Sequence, residues 1–108
     1  MSSILKKVQD EHRSWQLHNF GPPSVVESLI GVTEELGELS HAYLKNRQGI
    51  RLNENHEEKM KDAVGDLLIY LIAFCEAKGF DLEDILQKTW DEVRQRDWIK
   101  FPNNGKTE

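Results

Sequence analysis

The sequence predicts an all-α fold, a four-helix bundle whose core is completed by homo-oligomerisation. Its apolar residues recur at spacings of three and four rather than two, which is typical of helices and not of strands. Only three prolines interrupt the chain, at positions 22, 23 and 102. With 108 residues the chain has the length of one domain, so we expect residues 1–108 to form one, with residues 98–108 as an irregular tail.

The first two helices are predicted over about residues 4–18 and 25–47. Segment 19–23 separates them, because its two prolines lack a backbone donor and restrict the residues before them. Ser24 and Glu27 have the spacing of a capping box, which marks the beginning of the second helix. This helix presents an apolar seam toward the expected core, formed by Val25, Leu29, Val32, Leu36, Leu39 and Tyr43.

The third and fourth helices are predicted over about residues 57–78 and 82–97. The polar segment 48–56 contains a glycine and is expected to be a loop. Gly79 ends the third helix, since glycine readily adopts the left-handed conformation found there, and Asp81 caps the fourth. The expected inner face of the fourth helix consists of Ile85, Leu86, Thr89, Trp90 and Val93.

The longest uninterrupted apolar run, residues 67–75 (LLIYLIAFC), predicts self-association. It leaves no polar face for more than two turns, and a helix that is apolar on all sides is buried on all sides. A bundle of this size does not easily enclose one helix, so we expect a homo-oligomer, a dimer or a tetramer. The alternative is a central helix within one monomer. Cys75, in this run, is expected to be buried and inert.

The composition argues against several kinds of partner. Lys and Arg total 14 against 19 Asp and Glu, a net charge of -5, which argues against nucleic acid. The apolar run is about half of a membrane span, and no charged segment followed by an apolar one opens the sequence. A single cysteine cannot form an internal disulfide. We therefore expect a cytoplasmic protein without a membrane partner, for which a phosphate-bearing ligand requires metal ions to supply positive charge.

Five carboxylates fall on the second and third helices in positions where like charges face one another. At about 100° per residue, Glu34 and Glu38 lie within roughly 40° of each other, and Glu35 lies between Glu38 and the apolar seam. Asp62 and Asp66 share one face of the third helix. Such pairs destabilise an isolated helix by a few tenths of a kcal/mol, and more when they are removed from water.

Lys59 and Lys61 flank the aspartates, but the glutamates lack basic partners nearby in the sequence. No Lys or Arg occurs between Arg13 and Lys45, so nothing local neutralises the glutamates. If the second and third helices pair, their acidic faces meet, and a bound cation would relieve the repulsion. A set of oxygen ligands favours Mg²⁺, with Mn²⁺ as a possible substitute, over zinc or copper. On spacing alone, the alternative is a solvated acidic face.

Two segments, VTEELGELSHAYLK and KDAVGDLLIYL, resemble the MazG-type nucleotide pyrophosphohydrolases, an all-α family. That family's signature is E-E-x-x-E on one helix and E-x-x-D on the next. The first half is matched by Glu34, Glu35 and Glu38, and the aspartate of the second by Asp66. The glutamate expected three residues before Asp66 is Ala63, and we interpret Asp62 as a substitute ligand. The resemblance covers roughly residues 10–100.

The resemblance implies hydrolysis of a nucleoside triphosphate, often a deoxynucleotide or a damaged one, to the monophosphate and pyrophosphate. Such an activity cleans or controls the nucleotide pool. Glu35, Glu38 and Asp66 would hold Mg²⁺, with Glu34 and Asp62 completing the site. Either Glu34 or Glu35 would orient or deprotonate the attacking water.

The resemblance also implies substrate contacts. Basic residues are needed on the phosphate tail, and the candidates are Lys45, Lys59, Arg94, Arg96 and Lys100. Trp15 with His18 or Asn19 could receive the base, since an aromatic ring stacks on any base and a polar group reads its edge. Trp98 is a second candidate for stacking. The alternative for Trp15 is packing in the core.

Two other functions remain open at the level of sequence. One is a helical interaction module that has kept the fold and lost the activity, which the alanine at position 63 favours. The other is a related pyrophosphohydrolase that acts on a phosphoribosyl nucleotide with the same catalytic residues.

Overall fold

The computed structural model describes residues 3–107 and contains four α-helices and no strand in that range, which confirms the all-α prediction. The helices are α1 (Ile4–Phe20), α2 (Val25–Gln48), α3 (His56–Lys78) and α4 (Leu82–Val93). The outermost residues of the expected domain and tail, 1, 2 and 108, lie outside the described residues.

Local capping chemistry sets the helix ends. The predicted caps are confirmed: Ser24 accepts a hydrogen bond from Glu27 N, and Asp81 accepts one from Asp84 N. Gly79 ends α3 with φ 72°, in the left-handed region.

Helix α4 ends at Val93, so the prediction that it continues to about residue 97 was wrong. Asp97 begins a turn instead, because its Oδ1 accepts hydrogen bonds from the backbone N–H groups of Ile99 and Lys100. The backbone N–H of Asp97 also donates to the carbonyl of Gly105, at 2.7 Å. The tail is therefore a series of turns that folds back on itself.

Helices α2 and α3 form an antiparallel hairpin, which is the main packing of the chain. The connection is fixed by His56, whose Nε2 lies 3.0 Å from the carbonyl oxygen of Ile50. Two positions define the register: Glu35 lies near Asp66, and Gly31 lies against the ring of Tyr70.

The face of α2 that packs in this hairpin differs from the predicted seam. The buried residues of α2 are Ser28, Gly31, Glu35 and Ala42. Leu29 and Leu36 of the predicted seam remain about half exposed. Small side chains let two helix backbones approach closely, so this narrow face is the one that packs on α3.

Helix α1 crosses the α3–α4 turn and is held there by polar side chains. Buried Gln9 donates from Nε2 to the carbonyl of Phe80 and accepts from Leu82 N through Oε1. His12 pairs with Glu76 of α3, at 3.0 Å. These contacts place the second half of α1 beside the hairpin.

The predicted inner face of α4 is not enclosed by the chain. Leu86 is 57% exposed and Trp90 is 56% exposed, and Ile85 and Val93 are similarly open. Within one chain, therefore, this face is not an inner face. The physical reason is that α4 packs mainly against α1 and does not close over the hairpin.

The apolar α3 is not enclosed either, since Leu68 is about half exposed and Tyr70 is partly so. The radius of gyration is 17.6 Å, against roughly 13 Å for a compact domain of about 100 residues. Cys75, by contrast, is buried as predicted. Within residues 3–107, no helix has the length and apolar character needed to cross a membrane.

Candidate active site

Three glutamates of α2 form a compact carboxylate cluster. Ligand oxygens of Glu34, Glu35 and Glu38 lie within 4.8 Å of one another. Glu34 and Glu38 are exposed, whereas Glu35 is only 7% exposed. Its Oε2 is enclosed and has no hydrogen-bond partner among the described residues. An enclosed oxygen of this kind costs free energy unless a ligand or water satisfies it.

The electrostatics of Glu35 reflect this position. Burial raises the pKa of the Glu35 carboxyl above its usual range, because the charged form loses its hydration. The neighbouring carboxylates of Glu38, Asp66 and Glu34 raise this pKa further. Asp66 lies on α3, so the hairpin brings one acidic residue of that helix near Glu35, although Asp66 is not a member of the compact cluster of glutamates.

The residues present fit a hard divalent cation. All the ligand atoms are carboxylate oxygens, the donors that Mg²⁺ and Mn²⁺ prefer. Within the part of the chain that the structure describes, no Lys or Arg forms an ion pair with these glutamates. A cation would satisfy the enclosed oxygen of Glu35 and offset the repulsion among its neighbours.

A cleft of about 510 Å³ extends from this acidic region toward α1. Glu35 and Asp66 line it at the acidic end, and Trp15, Phe20 and Tyr70 add aromatic surface. The rings of Trp15 and Phe20 meet edge to face, with centroids 5.6 Å apart. The cleft therefore combines an acidic end with an apolar surface suited to a flat ring.

The hairpin register sets the length of this cleft. From Glu35 to Ser28, both in the lining, α2 runs seven residues, which is about 10 Å at 1.5 Å per residue. On α3, Asp66 and Ala73 in the lining are separated by the same number of residues. This length suits a small elongated ligand.

The structure does not bring Asp62 to the cluster. Asp62 is exposed and belongs neither to the group of glutamates nor to the cleft lining. Ala63 is 3% exposed and packs on the inner side of α3. The role of Asp62 as a substitute ligand therefore stays a prediction.

The basic candidates lie outside the cleft lining, and three of them are engaged locally. The pairs are Lys45 with Gln48, Lys59 with Glu54, and Arg94 with Asp91. Arg96 and Trp98 both lie beside Gly105 in the tail. None of these residues contacts the acidic end of the cleft within its own chain.

Of the predicted base-binding residues, only Trp15 lines the cleft. It is about half exposed, so it is not a core residue of this chain. The side chain of Asn19 instead donates to the carbonyl of Trp15, at 2.9 Å. His18 is exposed and outside the lining.

The lining residues that the sequence analysis did not propose for the site include His12, Phe20, Ser28 and Tyr70. His12 lies three positions before Trp15, on the same side of α1, and this spacing is the signal that could have found it. The other three depend on how α1 docks on the hairpin, which no local pattern specifies.

The fold and the site define an all-α protein whose helices present carboxylates that could hold a cation at one end of a cleft. The family model of the MazG nucleotide pyrophosphohydrolase domain matches residues 25–99, which include α2, α3 and α4. The chain therefore belongs to the MazG nucleotide pyrophosphohydrolase family. No curated protein and no solved structure matches the chain significantly.

Proposed function

We propose that this protein is a Mg²⁺-dependent nucleoside triphosphate pyrophosphohydrolase that acts on the nucleotide pool of the cytoplasm. The observation that carries the proposal is the enclosed, unpartnered oxygen of Glu35 at the acidic end of the cleft. In a chain of this family, such an oxygen beside two further glutamates and Asp66 is best explained as a ligand to a cation. Mn²⁺ is expected to substitute.

In this proposal Glu35, Glu38 and Asp66 hold the cation. The bound cation would neutralise the triphosphate and the charge that develops during phosphoryl transfer. Glu34, an exposed member of the cluster, orients the attacking water and accepts its proton. The water oxygen bonds to the α-phosphorus, and the bond to the bridging oxygen of pyrophosphate breaks. The products are the nucleoside monophosphate and pyrophosphate.

The aromatic part of the cleft receives the nucleoside. Trp15 offers a half-exposed ring, on which any base can stack. Stacking alone does not distinguish one base from another, so Trp15 contributes affinity rather than selectivity. The cleft length of about 10 Å between the levels of Glu35 and Ser28 accommodates a sugar between base and phosphates.

A second copy of the chain completes the protein in this proposal. The apolar faces of α2 and α4 are half exposed, and the chain is more extended than a compact domain of its length. Because the predicted basic residues lie outside the cleft of their own chain, they would reach a phosphate tail only from a second copy. Light scattering is expected to give a dimer or tetramer, and Trp90→Glu is expected to lower the molar mass.

Pyrophosphate release from a panel of NTPs and dNTPs tests the activity, with Mg²⁺, with Mn²⁺ and with EDTA. Wild type is compared with Glu38→Gln, which keeps the size of a cluster residue and removes its charge. Glu11→Gln, an exposed glutamate of α1 outside the cleft lining, is the matched control. We expect metal-dependent release of pyrophosphate in wild type and in the control, and loss in Glu38→Gln.

Other outcomes separate the parts of the proposal. Release of orthophosphate would place the cut at another bond and contradict the reaction. If there is no turnover but Mg²⁺ raises the melting temperature of wild type and not of Glu38→Gln, the substrate class is contradicted. The metal site would still be supported.

An interaction module without activity is the second candidate, and Ala63 favours it. The alanine stands where the family signature has a glutamate, and it is packed inside the hairpin. A module would show neither turnover nor stabilisation by metal. In that case Glu35→Gln would stabilise the fold and leave partner binding unchanged.

A further inference from the structure

A buried pair of side chains joins α1 to α3 beside the aromatic end of the cleft. His12 Nδ1 lies 3.0 Å from Glu76 Oε1, and the two side chains are only 7% and 3% exposed. A carboxylate only accepts hydrogen bonds, so Nδ1 carries the proton and donates it. The second carboxylate oxygen of Glu76 is enclosed without a partner within residues 3–107. Within residues 3–107, the hydrogen bond to His12 is therefore what offsets the loss of hydration of the Glu76 carboxylate.

The other imidazole nitrogen of His12 is available to a ligand. His12 lines the cleft, and its ring centroid lies 5.4 Å from that of Trp15. Across the described range, Nε2 makes no hydrogen bond and is not among the enclosed unpartnered atoms, so it opens to the cleft. A neutral imidazole with its proton on Nδ1 presents a hydrogen-bond acceptor at Nε2.

Two neighbouring polar side chains already use their donors on the backbone. Gln16 donates from Nε2 to the carbonyl of Gly21 at 3.3 Å, and the Ser28 hydroxyl donates to the carbonyl of Ser24 at 2.7 Å. The first hydrogen bond fixes the end of α1, and the second lies within the first turn of α2. His12 differs from them because its cleft-side nitrogen has no structural partner.

We propose that His12, positioned by Glu76, selects the base of the nucleotide in the cleft. The base lies against Trp15, and Nε2, in the tautomer whose ring proton is on Nδ1, accepts a hydrogen bond from an exocyclic amino group. Cytosine and adenine carry such a group at the position where uracil and hypoxanthine carry a carbonyl oxygen, which would face the lone pair of Nε2. This inference rests on the proposed function, which supplies the nucleotide.

Two matched substrate pairs test the selection. The triphosphates dCTP and dUTP differ in this group and in the adjacent ring nitrogen, which is an acceptor beside the amino group and an N–H donor beside the carbonyl; dATP and dITP differ in the same way. We expect wild type to favour the amino member by about tenfold in kcat/KM, the scale of one lost hydrogen bond with an unsatisfied partner. A merely structural role would lower turnover of both members equally, so the ratio is the diagnostic quantity.

Three variants locate the origin of the preference. His12→Phe keeps a ring and removes both nitrogens, so the ratio is expected to fall to about one. Glu76→Gln can donate to Nδ1 and turn Nε2 into a donor, so the ratio is expected to fall or invert. His18→Phe, on the same helix and outside the cleft lining, is expected to keep the wild-type ratio.

Binding measurements separate this inference from the proposed function. Calorimetry with the non-hydrolysable α,β-methylene analogues of dCTP and dUTP reports selection without turnover. Preferential binding of the dCTP analogue without any pyrophosphate release would support the role of His12 and overturn the proposed reaction. Release without an amino preference, or a ratio unchanged in both His12→Phe and Glu76→Gln, would overturn the role of His12. Neither binding nor release would overturn both.

Discussion

Replacing Gly31 by alanine tests the close approach of α2 and α3 that forms one wall of the cleft. A Cβ at Gly31 would lie 2.6 Å from Cγ of Tyr70 and closer still to Cδ1 and Cε1. Carbon atoms in good contact are about 3.5–4.0 Å apart, so the ring or the helix must move by about 1 Å. Cγ is the ring atom nearest the backbone, and it yields only through a new side-chain rotamer or a shift of α3.

The expected cost follows from two opposing effects. Overpacking costs about 1–3 kcal/mol, whereas alanine is favoured over glycine in a helix by about 1 kcal/mol. The net change for Gly31→Ala is therefore destabilisation by up to about 2 kcal/mol. Gly37→Ala is the matched control on the same helix, since a Cβ there meets nothing within 4 Å. That variant gains the helix preference alone, so the two should differ by about 1–3 kcal/mol.

Urea unfolding followed by circular dichroism measures this difference. Protein concentration is held equal, because the proposed oligomer would make apparent stability depend on it. Tyr70 also lines the cleft, so a displaced ring is expected to raise KM in Gly31→Ala and not in Gly37→Ala. Equal stability of the two variants would refute the close packing of Gly31 on Tyr70.

Three further changes have defined outcomes. Glu35→Gln is expected to raise the melting temperature without metal and to abolish the gain from Mg²⁺, as thermal melts with Mg²⁺ or EDTA would show. The pKa of Glu35 is raised in the folded, metal-free protein, so this residue favours folding below its unfolded pKa, and that contribution is lost as pH rises through the folded pKa. Urea titrations across pH should therefore show that the stability advantage of Glu35→Gln over wild type grows toward neutral pH. The backbone N–H of Asp84 and the Lys6 ammonium lower the pKa of Asp81. The contribution of Asp81 to folding stability is therefore present above its unfolded pKa and lost as pH falls, so the stability difference between wild type and Asp81→Ala should shrink in acid. Burial raises the pKa of the Cys75 thiol, so a disulfide reagent should label it slowly in the native protein and rapidly in urea.

The helices and most of their ends could be predicted because their causes are local. Ser24 and Asp81 cap helices through side chains that reach backbone N–H groups three residues away. Such contacts depend only on nearby residues, so they can be recognised from the sequence. The end of α4 was misplaced because Asp97, which appeared to continue the helix, uses its carboxylate to make a turn.

The packing face of α2 could not be predicted from hydrophobicity. The pattern favoured the seam with Leu29 and Leu36, because large apolar side chains gain most from leaving water. The hairpin instead uses Gly31 and Ala42, whose small size permits the helices to approach. Which of two adjacent faces packs depends on the shape of the partner helix, and that information is tertiary.

The candidate site divides in the same way. The spacing of Glu34, Glu35 and Glu38 on one helix predicted their proximity, and the structure brings their oxygens together. On the α1 side of the cleft Trp15 was proposed from the sequence, but its neighbours could not be, because α1 is docked by polar contacts from Gln9 and His12 to residues more than sixty positions away. Contacts of that kind leave no periodic signal in the sequence.

Glu35 belongs both to the packing face of α2 and to the candidate site. It lies on the narrow packed face of α2, between small residues. An apolar side chain at this position would avoid the cost of the enclosed, unsatisfied oxygen that Glu35 has. The same placement fixes its carboxylate at the helix interface, next to Asp66 and at the end of the cleft. A carboxylate on the exposed side of α2 would avoid the cost of desolvation, but it would hold a cation in water and at no defined distance from a ligand in the cleft. In the proposed function, stability without metal and the positioning of a cation are therefore in conflict at this residue, which is why the proposal rests on Glu35 more than on its exposed neighbours.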